Sequence, residues 1–112
     1  MTITTCANYT ILGHEFDLDQ LNDIVKHGMK QGVSSFIYTA DLVECFDEHE
    51  VKIWDYLDAE ANEFGEDSGI QMVINSIDTT YNMDTLKSQA VWMYVELKAH
   101  DILMQSNHPE WV

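Results

Sequence analysis

A chain of 112 residues has room for one domain and a single modest core. Its 46% hydrophobic content, with three Trp, five Tyr and four Phe, excludes a disordered acidic tail. The net charge of −15 comes from twenty acids against five Lys and no Arg, which argues against direct nucleic-acid binding and against anionic lipid.

A small domain needs a net charge of only about 2–8 for solubility, and more costs self-repulsion in the folded state. The surplus here calls for a basic partner or a high-salt habitat. The aromatic and Ile/Met content weighs against the second. Cys6 and Cys45 stand far apart with no CxxC, as reduced thiols of a cytosolic protein would. The first residues, MTITTCANYTILG, lack a basic n-region and a sustained apolar run, so no signal peptide is expected. Nothing approaches the roughly 18 apolar residues of a membrane span. The expected location is the cytoplasm of a host cell.

In chain order, Tyr9-Thr10-Ile11-Leu12 reads as a short strand or an extended arm that Gly13 stops. Asp17 reads as an N-cap with Gln20 completing a capping box. Leu18, Leu21, Ile24, Val25 and Met29 then trace an amphipathic helix that Gly28 and Gly32 bracket, with Asp19 and Asp23 on its outer side. Residues 33–38 form an apolar link. Thr39 or Ser35 can cap a short helix through Leu42, Val43 and Phe46.

Asp47 and Glu50 have capping-box spacing and predict the start of a new helix. Its expected buried stripe is Ile53, Trp54, Leu57, Ala61 and Phe64, and Gly65 ends it. Ser68 opens a further short helix with Ile70, Val73, Ile74 and Ile77. Asp84 is expected to cap the last one. Leu86, Ala90, Val91, Trp92, Met93, Val95, Leu97 and Ile102 cover most of its circumference, which marks residues 85–105 as the core helix. The single Pro, Pro109, lies near the C-terminus, so no linker or second domain is expected. The expected class is all-α: a compact bundle of about five helices around the C-terminal one, with a short N-terminal β element. Residues 1–112 make one domain, with 1–14 as an N-terminal arm and 106–112 as a loose tail.

Residues 41–67 contain eleven acids and one Lys, Lys52, interleaved with the apolar stripe. On a wheel at about 100° per residue, Glu48, Asp55 and Glu66 fall opposite Leu57, flanked by Asp58 and Glu63. Such a run can be an ordinary solvated face. It can also imitate a row of phosphates. Residues 48–66 would span about 28 Å, over which a DNA duplex carries about sixteen charges. Five carboxylates are too few to copy a duplex. Asp17, Asp19, Asp23, Asp41 and Glu44, or a homodimer, would have to contribute, unless the imitated element is short.

Chemistry-bearing motifs are few. Cys45 and His49 are four apart beside Glu44 and Glu48, but a metal needs three or four ligands and the expected break at Asp47 separates the pair. Glu96 and His100 are also four apart and read as a surface pair. GxSxG, Walker, HExxH and GxGxxG patterns do not occur. Neither an enzyme nor a bound metal or cofactor is expected.

The run from His27 to Leu57 resembles a family of small acidic proteins of unknown function carried by bacteriophages and mobile elements. The matching positions are His27, Gly28, Gly32, Phe36, Tyr38, Phe46, Ile53, Trp54 and Leu57, with a weaker continuation over Trp92–Leu97. The resemblance brings no catalytic residues with it. It implies a genomic context in which small acidic proteins often neutralise host defences.

Together these features point to a phage-encoded anti-defence inhibitor of anti-CRISPR or anti-restriction type. Its acidic surface would block the basic, nucleic-acid-binding groove of a host complex. The candidate partner-binding residues are Glu44, Glu48, Asp55, Asp58, Glu63 and Glu66, then Asp19 and Asp23, with Tyr56 or Trp111 as an aromatic anchor. The alternative is a helical adaptor or homo-oligomer that binds a host protein through an apolar surface.

Overall fold

The computed structural model describes residues 9–28, 39–77 and 82–105. Six elements follow one another: β1 (Tyr9–Ile11), β2 (His14–Phe16), α1 (Leu18–His27), α2 (Thr39–Phe64), α3 (Gly69–Asn75) and α4 (Met83–Gln105). The fold is mostly helical, with a short two-stranded antiparallel sheet at the N-terminal side. Internal contacts divide it into two units. One holds the hairpin, α1 and α4 from Val95 onward; the other holds α2, α3 and α4 up to Tyr94.

In the first unit, β1 and β2 pair as Tyr9 with Phe16, Thr10 with Glu15 and Ile11 with His14. The alternation of strand side chains puts Ile11 and Phe16 on one face, both buried, and Thr10 and Glu15 on the other, both exposed. The expected short strand is β1, and Gly13, rather than ending the β element, completes a hairpin that runs on to Phe16. Leu12 and Gly13 lie at φ 50° and 82°, two positive values in a row as in a type I′ turn. A left-handed Leu costs roughly 1–2 kcal/mol. Burying Leu12 to 4% exposure offsets this by about 1.5–3 kcal/mol.

The chain passes from Phe16 straight into the expected cap. The Gln20 N–H donates to Asp17 Oδ1 at 2.8 Å, and the Asp17 N–H donates to Gln20 Oε1 at 2.9 Å. Leu21 and Ile24 are fully buried, and Gly28 closes the helix at φ 89°. On the C-terminal part of α4, Val95, Ala99 and Leu103 repeat every four residues and are fully buried.

In the second unit, the two helices expected on either side of Asp47 run on as one, so four helices rather than about five occur among the described residues. The backbone at His49 is nonetheless non-helical (φ −126°, ψ 23°), so two helical segments meet at a kink two residues past the expected break. Two forces favour continuity. The Asp47 carboxylate is taken by Lys87 Nζ at 2.7 Å, so it does not fold back as a cap. And Leu42, Phe46, Ile53 and Leu57, all buried, keep helical spacing across the kink. Phe46 meets Trp54 edge-on, with ring centres 5.5 Å apart.

Helix α2 ends in a Schellman motif. Gly65 sits at φ 79°, the Glu66 N–H donates to the Ala61 carbonyl at 2.8 Å, and the Gly65 N–H reaches Asn62. Ser68 then caps α3 through the Gln71 N–H. The start of α3 packs on the backbone of α2: the Gly69 N–H donates to Asp58 Oδ1 at 2.7 Å. A Cβ on Gly69 would stand 2.8 Å from the Asp58 nitrogen and the Leu57 carbonyl carbon. Met72 and Val73 are the buried face of α3, whereas Ile70, expected inside, is exposed.

Helix α4 is capped two residues before its expected cap, Asp84, and begins at Met83. Asn82 Oδ1 accepts the Thr85 N–H at 2.9 Å, which leaves Asp84 in the first turn beside the positive end of the helix dipole. Ala90, Val91, Met93, Tyr94 and Val95 are buried, while Gln89, Trp92 and Glu96 on the other side of the helix are half-buried.

Two substitutions test this construction. Asp17→Ala removes the cap of α1 and is expected to lower stability by about 1 kcal/mol, read as a lower urea midpoint with an unchanged slope. Gly69→Ala should destabilise by about 1–2 kcal/mol, although Ala is the better helix former, because the methyl meets backbone that cannot yield. A stabilised Gly69→Ala protein would show that α3 does not approach α2 this closely.

Candidate functional site

Helix α2 commits Leu42, Cys45, Phe46, Ile53, Leu57 and Ala61 to the inside and half-buries Val43, His49, Trp54, Tyr56 and Glu60, and its other described positions face solvent. Eight of them are exposed acids: Asp41, Glu44, Asp47, Glu48, Glu50, Asp55, Asp58 and Glu63. Lys52 is the one exposed base on the helix.

The expected partner-binding residues separate into groups. Glu44, Glu48, Asp55 and Glu63 are exposed on α2, the first two before the kink at His49 and the others after it. Asp58 is exposed too, yet its carboxylate already holds the first amide of α3. Glu66 does not share the helix face. It follows the Gly65 turn, is half-buried, and accepts a hydrogen bond from Asn75 Nδ2 at 3.0 Å. Tyr56 is half-buried against Tyr94, ring centres 5.0 Å apart and edge-on, so its ring belongs to the packing. Asp19 and Asp23 are exposed on α1 in the first unit. Trp111, Gly32, Phe36, Tyr38 and the 106–112 tail lie outside the described residues.

Two exposed apolar residues on α2 were not expected at the surface. Val51 is 73% exposed and stands one turn from Asp55 and two from Asp58. Its signal in the sequence was its position outside the stripe Leu42, Phe46, Ile53, Leu57, Ala61. Phe64, expected inside, is 61% exposed. Helix α3 packs back onto Leu57 and Asp58, more than a turn before the last residue of α2, and so leaves Phe64 uncovered.

Cys45 is buried, and its thiol is pushed up to about 11 by burial first and then by the charges of Glu48 and Asp41. At neutral pH it is a protonated thiol rather than a thiolate ligand or nucleophile. Among the described residues no group of three His, Cys, Asp or Glu could hold a metal ion. The Lys87 ammonium lies 5.7 Å from the Phe46 ring centre as well as on Asp47. Its hydrogen bond to Asp47 raises its pKa. Also among the described residues, no helix is long and apolar enough to cross a membrane.

In the first unit, Glu96 Oε2 lies 3.8 Å from His100 Nε2. Burial raises the Glu96 carboxyl above its ordinary range, and His100 only partly counters this. A carboxyl raised by folding favours the folded state below its unfolded value, about 4.3, and loses that contribution as pH climbs through the folded value. Glu96→Gln is therefore expected to raise the denaturation midpoint at pH 8, where the half-buried carboxyl must otherwise carry its charge. The gain should vanish below about pH 4. A loss of stability at pH 8 would mean that the ionised carboxylate is well solvated or well paired.

The structure thus defines a mostly helical domain with an N-terminal hairpin, whose longest helix is apolar inside and acidic outside. Residues 3–108 match the family described as Domain of unknown function (DUF7222), and the chain belongs to that family. No curated protein and no solved structure matches it.

Proposed function

We propose that the protein is a phage-encoded inhibitor of a host nucleic-acid-binding defence complex, of anti-CRISPR or anti-restriction type, and acts by laying the outer side of α2 in a Lys/Arg groove meant for nucleic acid. The observation that carries this reading is the set of eight exposed acids on one helix, whose own exposed base is Lys52 and whose Asp47 is paired with Lys87 of α4. Glu44, Glu48, Asp55 and Glu63 are the leading contacts; Asp58 and Glu66 contribute charge while holding α3 and Asn75. The phage origin rests on the resemblance over His27 to Leu57.

A magnitude limits the mechanism. The 26 residues of α2 cover about 39 Å along their path, where a duplex would carry about 23 phosphate charges. Eight acids supply about a third of that. The match is therefore to a short duplex element or a single strand, or it needs a second copy. Charges of this kind steer the encounter and exclude wrong partners more than they hold the complex.

Exposed Val51 and Phe64 favour the second reading, a helical adaptor that binds a host protein through an apolar contact. Salt separates the two. Capture of a partner from host lysate, read by mass spectrometry, should weaken steeply between 50 and 500 mM NaCl if charge dominates, and barely change if apolar contact does.

Mutation sharpens the test. Glu48→Lys, Asp55→Lys and Glu63→Lys together add two charges each and take the net charge from −15 to −9. They avoid Asp58 and Glu66, which hold the fold. We expect the folded triple variant to lose at least tenfold in partner affinity with its circular dichroism unchanged. Undiminished binding by that variant would overturn the charge-based mechanism.

A further inference from the structure

We draw no further inference here: the strongest candidate, the exposed stripe of Val51, Asp55, Asp58 and Asn62 on the outer side of α2, belongs to the acidic face already proposed as the partner-binding surface, and nothing in the structure shows what covers its apolar residue.

Discussion

Helix α2 must satisfy two opposed demands at once. Its buried residues, Leu42, Phe46, Ile53, Leu57 and Ala61, hold the second unit together, while eight like charges push one another apart on its outer side. Each fully buried Leu or Ile contributes about 1.5–3 kcal/mol. A pair of exposed charges about 4 Å apart in water repels by about 1 kcal/mol, and less in salt. Burial therefore wins and the helix forms, with the acids fixed on its surface as a consequence. The few cations help locally: Lys87 reaches Asp47 from α4 and sits over Phe46, joining charge relief to the packing of the two helices.

The same helix shows why an acid in this chain is not automatically a contact for a partner. Asp58 receives the Gly69 amide and fixes where α3 starts. Glu66 receives Asn75, whose own amide oxygen accepts from Gln71, so that side of α3 is tied to the turn before it. At the far end of α3, Ser76 Oγ donates to the Val73 carbonyl and accepts from Gln89 of α4. Removing charge from α2 without regard to these tasks would unfold its neighbourhood and mimic a loss of function.

Local signals in the sequence were legible because they act at fixed offsets. Asp17 with Gln20, Gly65 after Phe64, and Ser68 before Gly69 all stand where their residue types suggest. Signals that depend on distant residues were not. Asp47 has the spacing of a cap, but Lys87, forty residues away, claims its carboxylate. Gly13 has the look of a stop, but only the pairing of Phe16 with Tyr9 reveals a second strand. Asn82 displaces Asp84 as the cap of α4, a choice between two good capping residues that composition does not settle. In the candidate site, the acidity of α2 was plain from spacing. The diversion of Asp58, Glu66 and Tyr56 to structural contacts was not, because it depends on where α3 and α4 return to α2.

The central claim is that this fold holds its carboxylates together against their mutual repulsion. The most direct test is the thermal midpoint of the unmodified protein at pH 7.5 as NaCl rises from about 10 to 300 mM, over which the screening length falls from about 30 Å to several ångström. Screened repulsion predicts a midpoint that climbs by several degrees and then levels off. A midpoint that stays flat or falls would contradict the account, because the acids would then be either well compensated or too dispersed to feel one another.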